Sequence, residues 1–195
     1  MLRPIITALA ATLAFSTAAT AQQAYDWSGA YGGVSLAAID VHWDFNTNPS
    51  DPENPFDAEA APGVFAGYLF QNDAFVYGAE ISHNIYDGEQ GAGPFLFELG
   101  SQTELRARVG YAFDNVLVSA SVGYASREFF SRFVDVRDNI TGMTYGLGAD
   151  YAINDRMFVG ADWTHSSLNG SNASSFYNSY EVTEDAFRLR LGFRF

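Results

Sequence analysis

The sequence contains no cysteine and no lysine, and basic residues are far fewer than acidic ones. The absence of cysteine excludes disulfide scaffolds, thiol catalysis and cysteine-based zinc sites. With 10 basic against 23 acidic residues and a formal net charge of -13, the chain lacks the basic surface that binding to DNA or RNA requires. Aromatic residues make up 16% of the chain, which is too many for a disordered protein. Beyond the N-terminal region, no segment is apolar for the length of a spanning helix.

The first 21 residues have the features of a secretory signal peptide. Arg3 supplies one positive charge, an apolar run covers residues 5–19, and Ala19-Thr20-Ala21 forms a small-x-small cleavage pattern. The run is too short and too rich in alanine for a good membrane anchor. We therefore predict cleavage after Ala21 and a mature domain of residues 22–195. Export without cysteine fits a bacterial envelope protein that does not depend on oxidative folding.

From Gly29 onward, apolar residues recur with a period of two, which is typical of β-strands. The pattern predicts eight strands, each about as long as the 9–11 residues that a tilted strand needs to cross a bilayer. Tight turns and long loops alternate between them. The predicted turns are Asn72-Asp73, Asp114-Asn115 and Asn154-Asp155, and the predicted loops are residues 40–61, 87–100, 126–139 and 166–184. This organisation predicts an all-β, eight-stranded antiparallel up-and-down barrel with its long loops outside the cell.

The distribution of charge indicates that this barrel spans a membrane. A membrane barrel has apolar side chains outside and polar ones inside, whereas a soluble barrel has the reverse. The apolar faces of the predicted strands carry no charge, and their aromatic residues lie near the strand ends, as in interface girdles. The charged residues of the opposite faces are Glu80, Glu104, Arg106, Arg108, Asp150, Asp162, Arg188, Arg190 and Arg194.

An eight-stranded barrel is too narrow for an aqueous channel, so its interior is filled by side chains. We expect the nine charged residues to pair in a hydrogen-bonded plug, because an unpaired buried charge is costly. Arginine suits such a plug, since its planar guanidinium binds carboxylates at fixed geometry. The sequence therefore predicts a stabilising network rather than conduction, with a small-solute porin as an alternative.

The start of the mature chain, Trp27-Ser28-Gly29-Ala30-Tyr31-Gly32-Gly33, resembles the opening of porin-like opacity-type surface proteins of Gram-negative bacteria. Further similar segments follow in order: Gly67-Tyr68, Gly78-Ala79-Glu80, residues 106–112 and residues 148–152. The C-terminal Phe193 and Phe195 resemble the signal that the barrel-assembly machinery recognises. Asp150 stands where the family often has glutamate. The resemblance implies an OmpA-like outer-membrane barrel without a defined catalytic activity, which serves envelope integrity, adhesion or surface antigenicity.

The sharpest catalytic candidate is the pair His165 and Ser167, which share the outward face near the outer end of the seventh strand. The pair resembles the H-x-S dyad of lipid A deacylases, which are also eight-stranded barrels. Glu184, Glu181 or Asp185 would then orient the histidine. The asparagine that follows the serine in those enzymes is missing, so an interfacial histidine beside loop serines is the favoured interpretation.

Two outer loops offer candidate binding sites. Acidic residues of the first loop are of the type that binds calcium, but without EF-hand spacing a solvated loop is favoured. These residues are Asp40, Asp44, Asp51, Glu53, Asp57 and Glu59. In the third loop, Arg127, Arg132 and Arg137 lie among phenylalanines and are candidates for contact with lipopolysaccharide phosphates, with ordinary loop charges as an equal alternative.

No motif for a metal or an organic cofactor is present, so none is expected. The expected partners are outer-membrane lipid, including lipopolysaccharide, and the assembly machinery during biogenesis. The expected state is a monomer in the outer membrane of a Gram-negative bacterium.

Overall fold

The computed structural model describes residues 25–44, 59–86, 88–90, 97–131, 136–170 and 180–195, and the predicted signal peptide lies outside them. The described residues form nine antiparallel strands. These are β1 (Gly29–Asp44), β2 (Glu59–Asn72), β3 (Phe75–Asn84), β4 (Gly88–Gln90), β5 (Phe97–Phe113), β6 (Val116–Ser131), β7 (Val136–Ala152), β8 (Met157–Gly170) and β9 (Tyr180–Arg194). Among these residues, no helix has the length and apolarity needed to cross a membrane.

The strands close into a barrel. They are hydrogen-bonded in the order β3-β2-β1-β9-β8-β7-β6-β5, and β3 also pairs with β5. The three-residue β4 continues the wall of β3 and pairs with β5. The predicted eight-stranded antiparallel barrel is therefore confirmed, with β3 and β4 together occupying the position of one strand.

The tight turns lie at one end of the barrel, and two of them depend on a left-handed residue. Asp73 and Asp114 have φ values of 54° and 51°, in a region that aspartate tolerates better than most residues. The first turn is Asp73-Ala74, one residue later than predicted. The difference arises because Asn72 still pairs with Phe75 in the ladder.

The two faces of the wall have the polarity that the sequence predicted. Large apolar side chains point outward and are exposed, among them Leu105 at 62%, Leu147 at 62% and Leu189 at 60%. Charged side chains such as Glu80 and Arg188 are buried in the interior. This arrangement is the inverse of a soluble barrel and suits a surrounding hydrocarbon phase.

The polarity reverses toward the end of the barrel opposite the tight turns. Consecutive cross-strand pairs join four outward polar residues into a line around part of the wall, here called the boundary ring: His83, Thr103, Ser126 and Thr141. On these four strands the outward residues below the ring are apolar, whereas above it the polar Glu128 and Asn139 stand beside the apolar Ile85 and Phe130. This change suits strands that leave the hydrocarbon at the ring and continue as a wall that faces water.

These continuations correct the predicted loop boundaries. β1 extends to Asp44, β6 to Ser131 and β8 to Gly170, so all three strands run well into the predicted loops. Once the outward side chains become polar, the alternation that marked each strand ends before the strand does. The acidic residues at positions 51–57 lie outside the described residues.

Candidate functional site

The interior of the described barrel is filled by successive layers of side chains. Aromatic residues occupy the turn end, ion pairs occupy the middle, and an apolar cluster occupies the outer part. Members of the outer cluster are Ala37, Ile39, Val41, Ala61, Tyr86, Leu99, Ala125, Phe129, Ile140, Leu168, Val182 and Ala186. This cluster lies inside the wall that faces water, where a soluble-type barrel keeps its core.

The carboxylate of Glu80 is the centre of the ion-pair layer. Its oxygens lie 2.5 Å from Arg106 Nη2, 3.0 Å from Arg108 Nη1 and 2.5 Å from Arg190 Nη2. The hydroxyl of Tyr31 donates a further hydrogen bond to it, at 2.8 Å. Three guanidinium groups thus share one buried carboxylate. Further acidic partners are needed to balance the positive charge of these three groups.

Arg188 and Asp162 extend this layer across the lumen. Arg188 Nε donates to Asp162 Oδ1 at 2.8 Å, and its Nη1 donates to Glu104 Oε1 at 3.0 Å. The other oxygen of Asp162 lies 3.0 Å from Arg190 Nη1 and 3.7 Å from Arg106 Nη2. Asp162 therefore joins three arginines that come from two strands, Arg106 of β5 and Arg188 and Arg190 of β9.

Asp150 completes the charge balance of the layer. Its Oδ2 accepts a hydrogen bond of 2.7 Å from Arg108 Nη2, which also donates to Ser119 Oγ at 2.9 Å. The structure thus brings together eight of the nine predicted residues, four arginines and four carboxylates with no net charge: Glu80, Glu104, Arg106, Arg108, Asp150, Asp162, Arg188 and Arg190. We call these eight residues the ionic layer.

The prediction that Arg194, the ninth residue, belongs to the ion-pair network is wrong, because its side chain lies at the turn end of the barrel. Its Nη2 donates to the carbonyl of Ser28 at 2.5 Å, and its guanidinium lies 4.8 Å from the ring centre of Tyr25. It therefore holds the segment before β1 against the end of β9. Nearby, hydrogen bonds from Ser28, together with Arg194, hold the pKa of Asp26 below its ordinary value.

An aromatic floor, which the sequence analysis missed, closes the turn end of the lumen. Trp27 is 2% exposed, and its ring meets that of Phe158 edge-on with centres 6.0 Å apart. Tyr31 contacts the same Phe158 ring at 6.0 Å. Space for Phe158 depends on Gly192, where an added Cβ would lie 2.1 Å from Phe158 Cζ. The signal in the sequence was an inward phenylalanine whose cross-strand partner is a glycine.

Arg127 lies inside the barrel, and its predicted contact with lipopolysaccharide is wrong. The side chain is fully buried, with Nη2 2.6 Å from Glu184 Oε2 and Nε donating to Gln102 Oε1 at 2.7 Å. Its guanidinium also stacks 4.8 Å from the ring centre of Tyr86. The residue belongs to β6 rather than to a loop, and alternation turns it inward.

The other two predicted lipopolysaccharide contacts are not described. Arg132 lies outside the described residues, and Arg137 belongs to β7 but its side chain is not described.

The candidate catalytic pair faces outward near the outer end of β8. His165 Nδ1 lies 3.1 Å from Asp185 Oδ1, which also accepts a hydrogen bond of 3.1 Å from Trp163 Nε1. Ser167 shares this face and is partly exposed. Glu184 points into the lumen, so its predicted role beside the histidine is wrong, and Asp185 occupies that position. Neighbouring residues of a strand face opposite sides, which explains the exchange.

The C-terminal aromatic residues lie at the turn end. Phe193 is 44% exposed and Phe195 is 92% exposed. The N–H of Phe195 donates to the carbonyl of Ala30 at 3.0 Å, which extends the pairing of β9 with β1. Recognition of these residues by the assembly machinery stays a prediction.

No metal site is indicated within the described ranges, where no group of three or more histidine, aspartate or glutamate side chains is placed to hold an ion.

Comparison with known proteins identifies related chains. The family described as "Outer membrane protein beta-barrel domain" matches residues 7–195. The 25 kDa outer-membrane immunogenic protein of Brucella melitensis is 27% identical over 177 residues, which covers 88% of this chain and 80% of that protein. Its counterpart from Brucella canis is 26% identical over the same length, with the same coverage.

Two solved structures share the fold. Ail, the attachment invasion locus protein of Yersinia pestis, matches with a TM-score of 0.53 and 14% identity, covering 86% of this chain and 99% of that one. Neisserial surface protein A matches with a TM-score of 0.53 and 14% identity, covering 86% and 98%.

Proposed function

The chain belongs to the outer-membrane β-barrel domain family, and on that premise we propose that it is a surface protein with a sealed barrel. In this proposal the barrel anchors an outer platform that serves envelope integrity and surface contacts, and the protein performs no catalysis. The names of similar proteins support a surface role, since they include an immunogenic protein and an attachment protein.

The observation that carries the proposal is the filling of the lumen. The ionic layer has four positive and four negative groups, so its charges neutralise one another and it needs no counter-ion. Below it, Trp27 and Phe158 close the turn end, and above it the apolar cluster fills the outer part of the described lumen. A narrow lumen that is filled in this way leaves no continuous path for solutes.

The outward faces support two further parts of the proposal. The apolar band below the boundary ring suits direct contact with lipid, which favours a monomer. At the ring, Tyr124 donates to Thr141 Oγ1 at 2.9 Å, and His83 Nδ1 lies 3.0 Å from Thr103 Oγ1. Such hydroxyl and imidazole groups suit the level of the lipopolysaccharide headgroups.

Single-channel recording tests the sealed lumen. Purified protein in a planar bilayer is expected to give no sustained conductance steps, whereas steps in the nanosiemens range would overturn the proposal. Because failed insertion also gives a silent bilayer, the same preparation is checked on a gel for the altered migration of the unboiled, folded barrel. Only a folded and silent preparation supports the proposal.

A further inference from the structure

The barrel closes where its first and last strands, β1 and β9, are paired with each other. All other neighbouring strands follow one another along the chain, apart from the short β4 between β3 and β5. We call the pairing of β1 with β9 the seam. In an open sheet these two strands would be the unpaired edges. Any contact between one side of the seam and the other therefore forms only when the barrel closes.

One row of cross-strand partners near the turn end crosses the seam with a phenylalanine at each end and two glycines in the middle. In order, the partners are Phe65, Gly33, Gly192 and Phe158, from β2, β1, β9 and β8. An added Cβ at Gly33 would lie 2.7 Å from Phe65 Cζ, and Gly192 makes similar room for Phe158. Each ring therefore lies over the strand next to its own, and the two ring centres are 6.2 Å apart. Tyr31 contacts both rings, at 6.1 and 6.0 Å.

A second set of contacts crosses the seam at the turn end, where residues 25–28 form a segment that we call the strap. The hydroxyl of Tyr25 donates to the carbonyl of Asn154, in the turn between β7 and β8, at 3.2 Å. On the β9 side, Arg194 Nη2 donates to a backbone carbonyl of the strap at 2.5 Å. On the β2 side, a backbone N–H of the strap donates to Gln71 Oε1 at 2.6 Å. The strap is thus fixed on both sides of the seam.

We propose that the rings of Phe65 and Phe158, together with the strap, form a lock that keeps the seam closed. Paired glycines contribute ladder hydrogen bonds but no side-chain packing, so at this row the packing across the seam comes from the two rings. Ring contact and strap contacts exist only in the closed barrel, so they stabilise it against opening between β1 and β9 and add nothing to an open sheet. The inference goes beyond the role as a surface protein and does not depend on it.

Hydrogen exchange of the folded barrel in lipid nanodiscs measures the opening of the seam, because protected amides exchange at rates set by the free energy of local opening. Phe65→Leu keeps an apolar side chain but removes the ring. We expect the amides that bond across the seam near the turn end to exchange about tenfold faster, which corresponds to ~1.4 kcal/mol. Amides between β2 and β3 are equally near Phe65 but lie away from the seam, and their exchange should be unchanged.

The matched control is Phe129→Leu, the same change in a similarly buried ring of β6, which should not accelerate exchange across the seam near the turn end. Three results would overturn the proposal: unchanged exchange at the seam in Phe65→Leu, equal acceleration between β2 and β3, or the same acceleration at the seam in Phe129→Leu. The first would show that the ring does not hold the seam, and the other two would show a general loss of stability.

Arg194→Gln tests the strap while leaving both rings in place. It should accelerate exchange across the seam about fivefold, since it removes a charge-assisted hydrogen bond and the contact with the ring of Tyr25. Arg156→Gln, in the exposed turn before β8, is the matched control and should leave the exchange unchanged. Exchange at the seam that is no faster in Arg194→Gln than in Arg156→Gln would contradict the proposed lock.

Discussion

The substitution Glu80→Gln removes the one carboxylate that three arginines share. Glu80 contacts Arg106, Arg108 and Arg190 within 3.0 Å and accepts a hydrogen bond from Tyr31. The glutamine keeps the size of the side chain but leaves the ionic layer with one excess positive charge. Its amide N–H groups also face guanidinium groups, which donate hydrogen bonds and cannot accept them.

The expected loss follows from the contacts that remain. Breaking a buried ion pair by removing one partner costs about 3–5 kcal/mol. Here each arginine keeps a second carboxylate, since Arg108 lies 2.7 Å from Asp150 and Arg190 lies 3.0 Å from Asp162. We therefore expect a loss at the lower end of that range, ~3 kcal/mol in the free energy of unfolding.

Urea unfolding of the protein in lipid vesicles, followed by tryptophan fluorescence, measures this loss. Glu128→Gln is the matched control, because the same change on the exposed outer wall should alter the free energy of unfolding by no more than about 0.5 kcal/mol. The double variant Glu80→Gln with Arg190→Gln restores neutrality and should recover about 1 kcal/mol of the loss. A Glu80→Gln protein as stable as the control would refute the stabilising role of the ionic layer.

Three further substitutions test other parts of the structure. Trp27→Ala should lower the free energy of unfolding by ~3–5 kcal/mol, since it empties the aromatic floor; a loss below about 1 kcal/mol in the same urea titration would contradict that packing. Gly192→Ala should abolish the folded band of the unboiled protein on a gel, because its Cβ would lie 2.1 Å from Phe158 Cζ, and adding Phe158→Ala should restore the band; a normal band for Gly192→Ala alone would show that the ring is not confined. His165→Ala should leave the acylation of lipid A unchanged by mass spectrometry, and a 3-O-deacylated species that disappears with this variant would instead establish a hydrolase.

The faces of the strands could be predicted because alternation is a local property. On β7, for example, Leu147 points outward and Thr144 inward, and this orientation does not depend on how the other strands are arranged. The same property identified the eight inward charges of the ionic layer. The closure of eight strands into a barrel also followed from the strand count and the alternating lengths of the connections.

The partners inside the lumen could not be predicted in the same way. Arg188 meets Glu104 across 84 positions of sequence, and Arg190 meets Glu80 across 110. Alternation gives the face of a residue but not its height, which depends on the stagger between strands around the closed barrel. Arg194 is different, because it lies beyond Arg190 at the end of β9, so its place at the turn end followed from its position along the strand.

The misplacement of Arg127 has a separate physical cause. The apolar outward face of β6 ends at Tyr124, and polar Ser126 follows, which resembles the start of a loop. In the structure the strand continues, because only the solvent outside it changes from hydrocarbon to water. Alternation then gives the inward Arg127 and Phe129 the role of a soluble-type interior.

Site-specific labelling tests most directly the claim that the solvent outside the wall changes at the boundary ring. The chain has no cysteine, so a fluorophore can be attached to Leu147→Cys or Asn139→Cys, one at a time, in vesicles that contain the folded barrel. We predict quenching by brominated lipid tails at position 147 only, and quenching by aqueous iodide at position 139 only. Quenching of position 147 by iodide but not by brominated lipid would show that the wall is oriented the other way.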